Sequence, residues 1–353
     1  MRTIKGPGLM LSQFMSDQPP FNRLDTIAGW AAGLGYKSFM VPIHDIRAID
    51  VARAARDDAY DADLKDTLSR HGIVISELSA HRAGQLLAVN PAFDDVVDVF
   101  APPALRGNPT ARQAWAEEQL RAGIAACARL GVTRLATFSG ALAWPYFYPW
   151  PPHPVGLIEA AFEELARRWL PLLDHADAHG VDLCFELHPG EDLHDGATFD
   201  RFLDRVGGHD RAKILFDPSH MLIQHMDYLG FIDRYHARIG AFHVKDAEFV
   251  RSDRAGVYGG FGDWLERPGR FRSLGDGQVD FPGIFSRLAA HDYDGWAVLE
   301  WECCLKHPED GAREGARFIA EHIIRVTDRE FDAVLRAKPD RVQLDRILGL
   351  GRS

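Results

Sequence analysis

The chain has 353 residues, of which 46% are hydrophobic and 26% are charged. This balance is typical of a globular protein with a large core, and it excludes a collagen-like, disordered or disulfide-rich chain. The 51 acidic residues outnumber the 40 basic ones and give a net charge of -11. A protein that grips the phosphates of nucleic acid is usually basic, so we expect no nucleic-acid partner.

The cysteines and the chain start give an expectation for the compartment. Cys127, Cys184, Cys303 and Cys304 form no CxxC pair, which predicts reduced thiols. The first residues lack the apolar run of a signal peptide, and no stretch approaches the ~18 apolar residues that a membrane helix needs. We therefore expect a cytoplasmic protein that does not contact a membrane.

Amphipathic stretches alternate with short apolar runs along the chain. Helical spacing of apolar residues predicts a helix over 22–35, and the apolar run after it predicts a strand that ends at residue 42. The same pair of signals recurs at 64–71 and 72–78, 115–130 and 131–138, 157–179 and 180–186, 199–206 and 214–217, 221–235 and 239–244, and 281–291 and 296–301, followed by a last helix over 312–324.

With 8–13 as the first strand, these elements form about eight strand–helix units. Eight such units predict an α/β fold with a single (β/α)8 barrel, which we place at residues 1–326. The alternative is a doubly wound sheet, but no GxGxxG follows the first strand. The charged tail, 327–353, is predicted to be a C-terminal extension, either solvated or an arm of a homo-oligomer.

Three predicted connections, 80–108, 139–154 and 246–280, are too long for plain turns. Each follows a strand, so each is expected at the C-terminal end of the barrel, where this fold builds active sites. The middle one carries Trp144 in a segment rich in aromatic residues and proline. That segment is interpreted either as packing of a lid or subunit contact, or as an aromatic wall for a sugar.

Four polar residues lie at the ends of apolar runs on the later predicted strands. They are Glu186, Asp217, His243 and Glu300. In a closed barrel these side chains converge, and three carboxylates at such close range would repel one another strongly without a cation between them. Three carboxylates and an imidazole suit Mn²⁺, Co²⁺ or Mg²⁺, so we predict a metal site.

Several neighbouring residues are predicted to contact substrate or to support the metal. His220 and Lys245 are candidates for proton transfer, because each lies two or three residues from a predicted ligand. Candidate substrate-binding residues are His188, Asp192, His81, Glu77, Arg272 and Trp144. Glu77 has a second interpretation, packing inside the barrel, and His220 could instead cap the next helix.

The ordered motifs FELHPGEDLH, LFDPSH, AFHVKDAE and VLEWE resemble those of the xylose-isomerase-like sugar isomerase and epimerase superfamily. The resemblance covers about 25–325 and implies one divalent metal on the four strand-end residues, Mn²⁺ first, with Co²⁺, Mg²⁺, Fe²⁺ or Zn²⁺ as alternatives. It also implies that Glu186 and Glu300 act as acid and base, and that His220 and Asp192 contact substrate.

The function implied is an isomerase or epimerase that moves a proton next to a carbonyl through an enediolate. No glycine-rich phosphate cradle is evident, so the expected substrate is a non-phosphorylated keto-sugar or an oxidised glycoside. The long insertions are similar to those of larger members that process keto-sugars and glycosides. This suggests an alternative, a metal-dependent lyase that cleaves 3-keto-glycosides by β-elimination and pairs with a second subunit.

Two further interpretations are weaker. An apurinic endonuclease, a related branch, carries an Asp-x-His motif after its seventh strand, and the corresponding stretch around Gly275 lacks that histidine. A non-catalytic sugar-binding barrel would have no reason to keep two glutamates whose charges repel.

Overall fold

The structure is a computed structural model that describes residues 1–333, 336 and 338–350. In chain order its strands are β1 (Lys5–Met10), β2 (Ser38–Pro42), β3 (Val74–Ser79), β4 (Arg134–Thr137), β5 (Asp182–Glu186), β6 (Ala212–Phe216), β7 (Ile239–Val244), β8 (Asp246–Phe249), β9 (Gly269–Arg272) and β10 (Trp296–Leu299). Eight of them form a closed, parallel barrel in the order β1-β10-β7-β6-β5-β4-β3-β2. The predicted (β/α)8 barrel is confirmed.

Helices separate the strands. In the described residues they are α1 (Leu24–Leu34), α2 (Val51–Ala54), α3 (Asp58–Ser69), α4 (His81–Leu87), α5 (Asp94–Val97), α6 (Pro109–Leu130), α7 (Leu157–Ala178), α8 (Gly196–Arg205), α9 (Pro218–Ile223), α10 (Tyr228–Tyr235), α11 (Phe281–Ala290), α12 (Pro308–His322) and α13 (Arg341–Leu348). Their bounds follow local sequence signals. Asn108 caps the start of α6 and Gly131 ends it with a φ of 75°, a left-handed conformation that glycine adopts without strain.

The core has two layers. One layer fills the barrel and consists of Met10, Met40, Ala136, Cys184, Leu215, Ala241 and Val298. The other, larger layer lies between strands and helices and includes Phe185. Because side chains alternate along a strand, Glu186 shares the interior face of β5 with Cys184 and lies above the apolar filling. The polar residues at the strand ends therefore lie directly above the packed apolar side chains that fill the barrel.

Among the element boundaries that differ from the sequence prediction, three change the architecture. The first strand begins at Lys5 rather than at residue 8. The helix predicted over 221–235 is two helices, because His225 takes a φ of 60° and Asp227 caps a new helix start. The connection 246–280 contains β8 and β9, which pair as an antiparallel hairpin.

The tail carries α13, whose apolar side chains are largely exposed, including Ile347 and Leu348. The division of the chain at residue 326 stays a prediction. All four cysteines are free, and Cys127 and Cys184 are buried. Within the described ranges, no helix is both long enough and apolar enough to cross a bilayer.

Candidate metal centre

Four side chains predicted from strand ends meet at the C-terminal end of the barrel. They are Glu186, Asp217, His243 and Glu300, and one ligand atom from each lies within 4.8 Å of all the others. All four are buried, with at most 7% of the residue surface exposed. We call this group the carboxylate–histidine cluster.

The atoms of the cluster fit a divalent cation. His243 Nδ1 lies 2.8 Å from Glu300 Oε2 and 3.8 Å from Glu186 Oε1. In the described chain, neither His243 Nδ1 nor Asp217 Oδ2 makes a hydrogen bond of good geometry, and both atoms are held by ion pairs, with Glu300 Oε2 at 2.8 Å and with Lys245 Nζ at 3.4 Å. Buried polar atoms without well-directed hydrogen bonds are costly, and a cation between these two would satisfy both. Carboxylate oxygens with one imidazole nitrogen suit Mn²⁺ or a related ion.

The outer oxygens of the two glutamates have partners that fix their orientation. Glu186 Oε2 lies 2.9 Å from His81 Nε2, and Gln13 Nε2 donates to Glu300 Oε1 over 3.1 Å. Both contacts leave the opposite oxygen directed into the cluster. Groups that orient metal ligands in this way commonly affect affinity and activity.

Lys245 is buried beside the cluster. Its Nζ lies 3.1 Å from Glu300 Oε2, 3.1 Å from Glu302 Oε2 and 4.3 Å from the centre of the Phe271 ring. Burial opposes its positive charge, but Glu300 and Glu302 outweigh that effect and hold the pKa of Lys245 above its ordinary value. Lys245 therefore carries a proton and offsets part of the negative charge.

His220 connects Lys245 to Glu186. Its Nε2 lies 3.2 Å from Glu186 Oε1 and 3.1 Å from Lys245 Nζ. Burial, with the nearby His188 and Lys245, lowers the pKa of His220 well below its ordinary value, so its ring is neutral at pH 7. Burial raises the pKa of Glu186, but contacts to His220, His243 and His81 outweigh it and keep Glu186 ionised.

A cavity of about 900 Å³ opens above the cluster. Its walls come from the segment 139–154, which we call the aromatic loop, and from the segment 250–268 between β8 and β9, which we call the hairpin loop. Residues of these loops that line it include Trp144, Phe147, Tyr148, Val257, Tyr258, Trp264 and Arg267. His220 and Glu302 line it nearer the cluster.

A sequence profile of the xylose isomerase-like TIM barrel family matches residues 28–322. The chain belongs to this family. A segment is 34% identical over 127 residues to an inosose dehydratase of Bacillus velezensis, covering 36% of this chain and 42% of that protein. Another is 33% identical over 143 residues to the rhizopine catabolism protein MocC of Rhizobium meliloti, covering 40% and 43%. These matches span less than half the length of either relative.

Solved structures share the fold at low sequence identity. L-ribulose 3-epimerase superposes with a TM-score of 0.58 at 18% identity, covering 91% of this chain and 94% of that chain. The 3-keto-D-glucoside 4-epimerase YcjR from E. coli gives a TM-score of 0.60 at 14% identity, covering 89% and 98%. The barrel is thus one on which epimerases and, by the curated relatives, dehydratases are built.

Six predicted substrate-binding residues remain. Three of them lie at the site, and the other three, Arg272, Glu77 and Asp192, make other contacts. His81 contacts the cluster, and His188 and Trp144 line the cavity. Arg272 lies on the hairpin, where its guanidinium donates to Glu248 over 2.7 Å. Among the described cavity-lining residues Arg272 is missing, and its contact with substrate stays a prediction. The unpredicted hairpin gives Arg272 a partner on the neighbouring strand.

Glu77 is completely buried. It points into the barrel from β3 at the level of Met40, its partner in register on β2. Burial raises its pKa. Of the two interpretations given to Glu77, this position matches packing inside the barrel.

Asp192 is completely buried and holds the aromatic loop. Its two oxygens accept backbone N–H groups from Leu142, Ala143 and Trp144, each at 2.8 Å. Direct contact with a substrate would require Asp192 to give up these bonds.

Several residues at the site were not predicted from the sequence. Gln13 follows β1 and orients Glu300, while Glu302 and Phe271 surround Lys245. The signal available for Glu302 was its position two residues after Glu300, on the same face of an extended segment.

Proposed function

We propose that the protein is a divalent-metal-dependent enzyme that moves a proton at the carbon next to a carbonyl group. The proposed substrate is a non-phosphorylated keto-sugar or keto-cyclitol. The observation that carries the proposal is the cluster itself, in which two ionised glutamates, a third carboxylate and an imidazole converge beside a large cavity whose lining includes His220. The names of the curated relatives and of the epimerase structures support the same class of chemistry.

A divalent cation on Glu186, Asp217, His243 and Glu300 supplies Lewis-acid polarisation of the substrate carbonyl. The chain's own residues then do the proton transfer. One glutamate accepts the proton from the carbon next to the carbonyl, which leaves an enediolate. Return of that proton by the same glutamate to the neighbouring carbon gives an isomer. Delivery of a proton to the opposite face by the other glutamate, after that glutamate has taken one from Lys245 or from water, gives an epimer, and the first glutamate then releases its proton to water.

A second candidate, β-elimination, is favoured by the position of Lys245. Its ammonium group lies 3.1 Å from both Glu300 and His220, so a proton donor stands next to the base. A glutamate would take the proton from the carbon next to the carbonyl. The bond between the following carbon and its oxygen would break, and Lys245 would protonate the leaving oxygen. The products are an unsaturated ketone and water or an alcohol, as in the dehydration for which the curated relatives are named.

The test is incubation of metal-loaded protein in D₂O with inosose and with 3-keto-glucosides, followed by NMR. We expect deuterium to enter at the carbon next to the carbonyl, and chelation should stop the exchange. A new stereocentre indicates epimerisation, a shifted carbonyl indicates isomerisation, and an alkene proton indicates elimination. Absence of metal-dependent exchange from every substrate would overturn the proposal.

Two glutamine variants sharpen this test. Glu186→Gln and Glu300→Gln keep an oxygen ligand but remove a base, and loss of a general base costs roughly 10²- to 10⁴-fold in rate. If the glutamates serve opposite faces, each variant should exchange deuterium into only one of two epimers. Equal exchange into both epimers by both variants would assign the proton transfer to Lys245 or His220.

A further inference from the structure

The cavity is much larger than the sugar that the proposed chemistry requires. Its volume of about 900 Å³ lies near the top of the range of ~300–1,000 Å³ that drug-sized ligands fill. A single sugar ring whose carbonyl reaches the carboxylate–histidine cluster occupies only the deep end. The outer part, between the aromatic loop and the hairpin loop, is left for another group.

The outer part has two aromatic walls. On one side Trp144 packs edge-on against His194, with ring centres 5.2 Å apart. On the other side Trp264 packs against Phe271, with ring centres 5.1 Å apart, and Phe271 in turn contacts the cluster through Lys245. Aromatic faces of this kind bind flat apolar groups by stacking and by burial of apolar surface.

The two loops meet at the entrance of the cavity. The rings of Tyr148, from the aromatic loop, and Tyr258, from the hairpin loop, are 5.4 Å apart and nearly perpendicular. A group bound in the outer part would therefore have one loop on each side, and the two tyrosine rings would cover one of its edges. This arrangement favours a rigid ring attached to the sugar over a free, flexible chain.

Three polar side chains around the outer part already make contacts within the protein. Gln224 donates to the backbone carbonyls of His194 and His220, and Glu302 accepts from Lys245. Arg267 stacks 3.9 Å from the Trp264 ring centre and donates to a backbone carbonyl. A second sugar needs several partners for its hydroxyl groups, and the contacts that already hold Gln224, Glu302 and Arg267 in place limit how these three side chains could supply them.

We propose that the outer cavity is a subsite for an aromatic aglycone, so that the substrate is an aryl glycoside with the keto-sugar at the cluster. The inference rests on the proposed function, which places the sugar at the deep end. Trp144 and Trp264 are the specificity-determining residues, because each contributes an aromatic side chain from one of the two loops to the cavity lining.

Binding of unreactive glucosides tests the subsite without any chemistry. We would titrate metal-loaded protein with methyl, phenyl and cellobiose probes (methyl β-D-glucopyranoside, phenyl β-D-glucopyranoside and cellobiose) by calorimetry. The phenyl glucoside should bind at least about 10-fold more tightly than the other two, as expected for burial of one aromatic ring. Trp144→Ala and Trp264→Ala should each reduce this preference several-fold and leave the methyl glucoside nearly unchanged.

Trp150→Ala is the matched control, because Trp150 belongs to the aromatic loop but is 71% exposed and lies outside the cavity lining. It should leave all three affinities unchanged. The proposal is overturned if the phenyl glucoside shows no advantage over the methyl glucoside, if cellobiose binds most tightly, or if Trp150→Ala acts like Trp264→Ala. Loss of deuterium exchange with an intact phenyl preference would overturn the proposed reaction alone.

Discussion

Two sets of buried carboxylates lie close together in this barrel and have opposite surroundings. Asp192 and Asp246 accept backbone N–H groups with both oxygens, and each fastens a loop. Glu186 and Glu300 contact only side chains, and each directs an oxygen towards His243. Glu186 and Asp192 follow the same strand, so the difference arises within one short segment.

The comparison shows that burial alone does not mark a metal ligand. Backbone N–H groups saturate the loop-anchoring carboxylates and fix one local conformation. The cluster carboxylates, in contrast, compete for a few side-chain donors, and Asp217 Oδ2 has no hydrogen bond in the described chain. What identifies the candidate ligands is an unsatisfied oxygen facing other unsatisfied ligand atoms.

The largest expected effect separates the two sets directly. Asp217→Ala removes a proposed ligand, and we expect metal affinity to fall by more than the ~10- to 100-fold that loss of an orienting neighbour costs. Metal analysis after dialysis, with and without added Mn²⁺, measures this loss together with activity. Asp217→Asn keeps the oxygen that caps α9 and controls for folding. If Asp192→Ala lost as much metal as Asp217→Ala, the distinction between metal ligands and loop-anchoring carboxylates would be wrong.

A smaller effect is expected from the loop anchor. Asp192→Ala leaves three backbone N–H groups of the aromatic loop without their acceptor, which costs roughly 1–3 kcal/mol in the free energy of unfolding. Because the loop carries Trp144, KM should rise more than kcat falls, while metal content stays unchanged. Denaturant unfolding and steady-state kinetics measure both. If kcat alone fell, Asp192 would act in the chemistry rather than through the loop.

The smallest effect on activity concerns Glu191, which accepts the backbone N–H of Gly140 over 2.7 Å. Burial raises the pKa of Glu191 to about 8. Between about pH 4.5 and 8 the unfolded chain releases a proton that the folded chain keeps, so this group's stabilisation is complete at low pH and is lost as pH rises. The loss amounts to at most about 1.4 kcal/mol per pH unit.

Glu191→Gln should remove that dependence, since the amide stays neutral and keeps an acceptor for Gly140. Between pH 5 and 8 the free energy of unfolding of the variant should therefore rise relative to that of the original protein, while the activity stays nearly unchanged. Chemical denaturation at several pH values measures the difference. Parallel curves for the two proteins would show that Glu191 is ionised in the folded chain.

The candidate ligands could be predicted from sequence because of where they occur. Each follows or ends a short apolar run, and the parallel barrel brings all strand ends to one rim. The barrel itself could be predicted for the same reason, since alternating periodicities are local signals. β1 was placed too late because Gly6 and Pro7 are residues that rarely lie inside strands.

The residues that complete the site could not be predicted, because their roles depend on contacts distant in sequence. Gln13 reaches Glu300 across 287 positions of chain. Phe271 and Trp264 reach the cavity through a hairpin whose short strands carry no clear periodic signal. The loop-anchoring role of Asp192 depends on backbone groups of another loop, which side-chain patterns do not reveal.

The position of His243 between two carboxylates has a consequence for how a metal enters. Burial opposes a charge on this ring, but Glu300 and Glu186 outweigh it and raise the pKa of His243 to about 10. A cation that binds Nδ1 must therefore displace a proton that the carboxylates hold firmly. Loading would exchange one proton for one cation at the imidazole, so alkaline conditions would favour uptake and acid conditions would favour release.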